Sequence, residues 1–203
     1  KFGSTPFSIA CDNSYVDIVE LLLNDKRIDI NKANKYGQTP FMIACCSWRS
    51  KVVKLLLSDE KVDVNQTNNL GQPAFYIAGQ EGHTEIVKLL LNDKRVKLGI
   101  NKTRDLDSAS FYYACEKGQI ETVKMLLNGE RVDINKETND GKTPFGIACE
   151  KEHTEIVELL LNDKRVDVNK VDDFGWTPFY SACQEGHIEI VKLLLNDKRV
   201  DIN

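Results

Sequence analysis

Cysteine and histidine are the residues of this chain whose types could do metal or thiol chemistry. Two pairs have ligand-like spacing: Cys149-x-x-x-His153 and Cys183-x-x-x-His187. Zinc needs three or four ligands converging on one point. The spacing of the cysteines argues against convergence. Cys11, Cys45, Cys115, Cys149 and Cys183 fall at one phase of a long period, with Gly79 at the remaining place and Cys46 as an extra. Groups that recur along a chain at a fixed period are carried past one another, not brought together. His83, His153 and His187 recur in the same way, at the expected start of a helix, where a ring nitrogen can bond local backbone groups.

The same column is read as packing. Stacked helices lie about 8–10 Å apart. A disulfide needs Cα atoms within roughly 7 Å. Neighbouring cysteines are therefore expected to stay thiols, as small buried residues, with Cys46 more exposed and oxidisable. That pattern fits a reducing compartment, cytoplasmic or nuclear. No Gly-x-Ser-x-Gly, P-loop or His-Glu-x-x-His occurs. The chain reads as a non-enzyme, with no catalytic residues, no metal and no cofactor.

The elements that position these residues repeat. The Ala of an x-x-Ala-Cys motif stands at 10, 44, 78, 114, 148 and 182, with spacings of 34, 34, 36, 34 and 34. A fixed period in this range marks a solenoid. The segment EGHTEIVKLLLNDKRV (81–96) returns as EGHIEIVKLLLNDKRV (185–200) with one residue changed. Thr5, Thr39, Thr143 and Thr177 each precede a proline, an N-cap followed by a residue whose missing N–H costs nothing at the first helical position. An apolar stretch with small residues follows, Phe7, Ile9, Ala10 and Cys11 in the first copy. Then comes a polar turn, with Gly82, Gly118 and Gly186 available for a left-handed conformation.

The second helix carries Ile86, Val87, Leu89, Leu90 and Leu91 in the third copy. That stripe is too wide for one neighbour, and fits a helix buried by its partner and by adjacent copies. Glu85/Lys88 and Glu189/Lys192 read as solvated outer pairs. Asn-Asp-Lys-Arg ends the helix, and Asp-Val/Ile-Asn with a glycine turn forms a hairpin-like finger.

Taken together, Gly-x-Thr-Pro-Phe-x-x-Ala, Gly-His-x-Glu-Ile-Val-x-Leu-Leu-Leu and Asp-Val-Asn in fixed order resemble the ankyrin repeat family over the whole chain. The resemblance implies an all-α solenoid of stacked helix-turn-helix units with fingers. Six repeats are expected, at about 1–34, 35–68, 69–104, 105–138, 139–172 and 173–203. Two departures stand out. The family's His after Thr-Pro-Leu is replaced by Ser8, Met42, Tyr76, Tyr112, Gly146 and Tyr180. The fourth copy reads Asp-Ser-Ala-Ser-Phe (107–111) in place of Gly-x-Thr-Pro-Phe, after a two-residue insertion in Val-Lys-Leu-Gly-Ile-Asn (96–101). The junction there, 98–110, is expected to open most easily.

Composition narrows the partners. The 203 residues carry 27 Lys+Arg against 31 Asp+Glu, a net charge of −4. That lacks the basic footprint of nucleic-acid binding. No apolar run approaches the roughly 20 residues that cross a bilayer, so no membrane insertion is expected. The sequons at Asn65 and Asn101 read as chance. The chain opens in mid-pattern without Met, as a piece of a longer array. The last copy keeps an apolar second helix, so end-to-end self-association of the fragment, or further repeats, is expected.

The resemblance implies a protein-interaction scaffold that grips an unidentified protein partner on its concave, finger and first-helix surface. The alternative is the regulatory or targeting arm of a larger enzyme or channel. Before the turn glycines, with Asp107 in that place in the fourth copy, stand Phe2, Tyr36, Leu70, Leu106, Asp140 and Phe174; after them Ser4, Gln38, Gln72, Ser108, Lys142 and Trp176. Such apolar tips either pad neighbouring fingers or form a contact stripe, and the sequence leaves both open. The family's variable positions map onto Lys35, Tyr36, Gln38, Asp173, Phe174 and Trp176, and onto Gln80, Glu81, Glu116, Lys117, Gln184 and Glu185. The partner-binding set expected is Tyr36, Gln38, Leu70, Tyr76, Leu106, Tyr112, Phe174, Trp176 and Tyr180.

Overall fold

A computed structural model describes residues 3–97, 109–129 and 132–203. Phe2 and residues 98–108, Leu106 and Ser108 among them, lie outside the described residues, and with them most of the insertion and the first two residues of the fourth copy's altered start. The chain divides into two compact units, Lys1–Leu106 and Asp107–Asn203. Each holds three helix pairs, and among the described residues every regular element is helical.

In the first unit the pairs are α1 (Pro6–Asp12) with α2 (Val16–Leu23), α3 (Pro40–Cys46) with α4 (Ser50–Leu57), and α5 (Ala74–Gln80) with α6 (Thr84–Asn92). In the second they are α7 (Ala109–Glu116) with α8 (Ile120–Leu127), α9 (Pro144–Glu150) with α10 (Thr154–Leu161), and α11 (Pro178–Glu185) with α12 (Ile188–Asn196). Within each unit first helices pack on first helices, as α1 on α3 and α9 on α11, and second on second. This is the all-α stacked arrangement that the resemblance implied.

The local chemistry starts each pair as expected. Thr5, Thr39, Thr143 and Thr177 are extended N-caps whose hydroxyls accept from the amides of Ser8, Met42, Gly146 and Tyr180. In the first copy Ser8 closes a reciprocal capping box with Thr5. Pro73, one place early, is an extended cap without a side-chain bond.

Two buried rows make the core. Phe, Ala and Cys at i, i+3 and i+4 of the first helices (Phe7, Ala10 and Cys11; Phe41, Ala44 and Cys45; Phe145, Ala148 and Cys149) are sealed. So are the Val/Ile and Leu positions of the second helices, such as Val53 and Leu56, or Ile156, Val157 and Leu160. Burial pushes the Cys11 thiol up to about 12, with the neighbouring Asp12 adding to it, and raises Cys45, Cys115 and Cys149 as well. Such thiols are not poised to ionise and act as small apolar residues. Cys46 and Cys183 are exposed. For Cys183, on α11, this departs from the column.

The turn between the helices of a pair is left-handed throughout the described copies. Gly82, Gly118 and Gly186 take φ of 72°, 68° and 77°, but Ser14, Trp48 and Glu152 hold the same place at 60°, 56° and 61°. A side chain at such φ is strained.

Candidate functional site

The surface that could meet a partner is made of fingers, so the bonds that hold a finger come first. In each complete finger one residue closes the loop. Asn34 Oδ1 accepts from the amides of Tyr36 and Gln38, and Asn68 Oδ1 from those of Leu70 and Gln72, at 2.9–3.0 Å. Asp172 Oδ1 does the same for Phe174 and Trp176, at 2.9 Å each. Thr138 Oγ1 accepts from Lys142 N. Adjacent fingers are tied through the backbone, Asn69 N to Tyr36 O and Asp173 N to Asp140 O. The fit is close: a Cβ at Gly37 would sit 2.6 Å from Asn69 N, and one at Gly141 would sit 2.7 Å from Asp173 N.

At the base of the fingers lies a ladder that sequence reasoning passed over. The Asn of four Asp-Val/Ile-Asn runs reaches one copy onward. Asn31 Nδ2 donates to Lys61 O and its Oδ1 accepts from Asp63 N, at 2.8 and 2.9 Å. Asn65 does so with Arg95 and Lys97, Asn135 with Arg165 and Asp167, and Asn169 with Arg199 and Asp201. The Arg of Asn-Asp-Lys-Arg reaches one copy back. Arg95, Arg165 and Arg199 donate to the carbonyls of Leu57, Leu127 and Leu161, the last residues of α4, α8 and α10. They cap helix ends that lack intrahelical partners. Each guanidinium is held by its own Asp, 2.6–2.8 Å away. The signal was present as recurrence: Asn, Asp and Arg return at fixed places in most copies, with Lys61 and Gly129 as the exceptions, where a solvated loop would tolerate drift.

The histidines behave in the same way, which corrects the expectation of a local bond. His83, His153 and His187 Nε2 donate to the carbonyls of Cys46, Glu116 and Glu150, each 37 residues earlier, at 2.8–2.9 Å. Those carbonyls end the first helix of the preceding copy. Arg49 takes the place of His in the second copy and donates to Asp12 O. The Cys-x-x-x-His pairs are therefore pieces of packing and capping. Among the described residues no three His, Cys, Asp or Glu side chains gather as a metal site would require.

The expected contact residues separate by exposure. Tyr36, Leu70 and Phe174 stand out at the finger tips, Leu70 at 76% and Phe174 at 68% exposure. Trp176 is exposed beside Phe174, and Tyr180 is half exposed on α11. Their rings form a fanned row: Phe174 to Trp176 is 5.4 Å between centroids at 35°, and Trp176 to Tyr180 is 5.3 Å at 32°. Tyr76 and Tyr112 are buried, at 4% and 7%, and offer no comparable surface. Within the second unit the third position of a first helix points at the start of the next one, as the 4.0 Å from a Cβ at Gly146 to Pro178 shows. Gln38 is partly shielded, with its Oε1 accepting from Asn34 Nδ2 at 3.0 Å, so it serves its own finger.

Charge lies beside the rings. Burial opposes ionisation of Glu150, but hydrogen bonds from Lys142 and Lys151, at 2.7 and 2.9 Å, hold its carboxyl below the ordinary range. Lys142, Glu150, Lys170, Asp172 and Trp176 line a narrow cleft between neighbouring fingers. Among the described residues no helix is long and apolar enough to cross a membrane.

Comparison with known proteins agrees with the architecture. The family of ankyrin repeats, in three-copy form, matches residues 1–68, 49–137 and 111–203. Among solved structures, EF0377, an ankyrin repeat protein, is similar over 97% of this chain and 98% of its own, at 26% identity and a TM-score of 0.83. An ankyrin repeat domain from Acinetobacter baumannii AYE is similar over 94% of this chain and 96% of its own, at 26% identity and a TM-score of 0.81. No curated protein matches. With the N-caps, the paired helices, the finger loops and these matches all in register, the chain belongs to the ankyrin repeat family.

Proposed function

We propose that the six copies form a non-catalytic scaffold that binds a protein partner on the finger and first-helix side. Ankyrin repeats are generally protein–protein interaction modules. The observation that supports the reading in this chain is the exposure of Tyr36, Leu70, Phe174 and Trp176 at finger tips. The finger bonds run through backbone amides and the side chains of Asn34, Asn68 and Asp172. The tip side chains are not needed for closure, yet they are large and apolar where water favours polar groups. Interface energy concentrates in a few such anchors.

The test is a set of tip variants in the whole chain. Tyr36→Ala, Leu70→Ala and Phe174→Ala should keep the melting temperature within a few degrees. A photo-crosslinker placed at the same tips should capture a partner that one at Lys88, on the outer face of α6, does not. Loss of folding on tip truncation would make the tips padding. Equal capture from Lys88 would move the interface elsewhere.

A further inference from the structure

Two neighbouring fingers of the first unit carry basic charge and no acid. Residues 31–38 (NKANKYGQ) and 65–72 (NQTNNLGQ) hold Lys32 and Lys35 and no Asp or Glu. Both lysines are exposed, and neither has an ion pair among the described residues. The nearest acids in sequence, Asp29 and Asp63, lie at the finger bases, where their carboxylates accept from the amides of Asn31 and Asn65. The amide side chains of these fingers turn to their own loops: Asn34 Nδ2 donates to Gln38 Oε1 and Asn68 Nδ2 to Gln72 Oε1, at 3.0 and 2.8 Å. What a partner meets here is two apolar tips, Tyr36 and Leu70, beside two ammonium groups.

The two tips are held at a fixed spacing. Asn69 N donates to Tyr36 O and Asn69 Nδ2 to Lys35 O, at 3.0 and 2.9 Å, so one finger is bonded to the next beside its tip. The helices these fingers lead into, α3 and α5, pack side by side. Helices so packed lie about 8–10 Å apart. In an α-helix, residues i and i+7 share a face and lie about 10.5 Å apart along the axis. A strand presents same-face side chains about 7 and 13 Å apart instead. Two turns of helix therefore match the step between the fingers, and a strand misses it on either side. A polyproline segment also repeats at about 9 Å. It docks into aromatic-lined grooves, however, and one of these two tips is a leucine. A surface fixed in advance binds without first ordering itself.

We infer that these two fingers receive an amphipathic helix of the partner, which sets apolar side chains at i and i+7 against Tyr36 and Leu70 and carries Asp or Glu toward Lys32 and Lys35. The inference rests on the protein-binding reading above and gives that partner a chemistry. The apolar anchors supply most of the interface energy. The lysines favour an acidic segment over a basic one and speed its approach.

The experiment titrates four labelled peptides into the whole chain and reads fluorescence anisotropy at low and at physiological salt. The first is an alanine-based helix with Leu at i and i+7 flanked by Glu. The second has Lys in place of every Glu. The third is the first with its leucines at i and i+5, on different sides of the helix. The fourth is a Glu-bearing polyproline segment with Leu at i and i+3. The first should bind tightest, and the others about tenfold weaker or more. Tyr36→Ser and Leu70→Ser should each weaken the first peptide severalfold while circular dichroism shows the chain still folded. Lys32→Glu combined with Lys35→Glu should reverse the preference between the first and second peptides, and salt should narrow it. Lys88→Ala should change nothing. The acidic helix is overturned if the first peptide binds no better than any of the other three, or not at all, or if its lead over the second survives the double Lys→Glu change. If that happens while crosslinkers at the tips still capture a partner, the protein-binding surface stands without this occupant. If capture at the tips fails as well, both readings fall.

Discussion

Asn34 and Asn68 close the fingers of the first unit with the same two amide bonds that Asp172 makes in the second. What they display differs. The first unit shows Tyr36 and Leu70 among amides and lysines; the second shows Asp140, Phe174 and Trp176 among paired lysines and carboxylates. The frame is duplicated and the surface is not. Bonds that join one copy to the next cannot vary without loss, because each side chain must suit two neighbours at once. Tip side chains answer only to whatever they meet outside.

The largest effects should come from breaking the frame, and equally in both units. Phe41 and Phe145 hold the same fully buried place in α3 and α9. Phe41→Ala and Phe145→Ala should each destabilise by about 3–5 kcal/mol. Urea denaturation of the whole chain would show it. A loss confined to one of them would mean that the copies are alike in sequence but unequal in packing.

Next come the asparagines. Asn65 and Asn169 each exchange two bonds with the following copy. Asn65→Ala and Asn169→Ala remove both and leave a carbonyl and an amide short of partners, for about 1–3 kcal/mol each. Asn→Asp is a sharper probe, since a carboxylate can still accept but cannot donate to the Arg95 or Arg199 carbonyl. It should lie between Ala and the parent in the denaturation midpoint. A midpoint unchanged by Ala would show that the ladder adds nothing beyond the apolar core.

A smaller effect follows from acid. The Arg27 hydrogen bond lowers Asp25 to about 2, and hydrogen bonds from Arg165 and Arg199 lower Asp163 and Asp197. An unfolded Asp titrates near 3.9. A depressed carboxylate contributes stability that is present above the unfolded value and lost as pH falls through the folded one. The denaturation midpoint should therefore drop between about pH 4 and pH 2. Arg199→Gln should flatten part of that drop. The pairs are largely exposed, so salt should reduce the effect in both units.

How much of this was legible in the sequence follows from the same division. The Thr-Pro caps, the Phe-Ala-Cys stripe and the wide second-helix stripe act within one copy and its immediate packing, so their spacing announced them. The tips could be placed, because the turn glycines mark them. Tyr112 went astray because the third position of α7 faces α9, a direction that a linear pattern does not carry, and Tyr76 is buried too. The His, Arg and Asn bonds reach 30 to 38 residues away. Each looks like an ordinary polar loop residue until the copies are stacked. Their recurrence was visible, but the partner was not.

The smallest predicted effect tests the comparison at a single turn. Trp48 and Glu152 hold the same left-handed place in the two units, at φ of 56° and 61°. Glycine there would relieve a strain of about 1–2 kcal/mol, offset in part by the entropy that glycine brings to the unfolded chain, about 0.4–1 kcal/mol. Glu152 Oε1 lies 3.7 Å from His187 Nδ1, an exposed contact that adds little, so Glu152→Gly should be neutral or slightly stabilising. Trp48 is 64% exposed, yet its ring lies parallel to His83, 5.7 Å away at 2°. Such a pair is worth about 0.5–1.5 kcal/mol. The His83 ring is already fixed by its bond to Cys46 O, so the stack costs little further ordering. Trp48→Gly should accordingly fall below Glu152→Gly by about that stacking energy. A double-mutant cycle of Trp48→Gly with His83→Ala isolates it. If the two glycine variants shift the midpoint alike and the cycle shows no coupling, the stack is idle and Trp48 is held at a strained turn without return from His83.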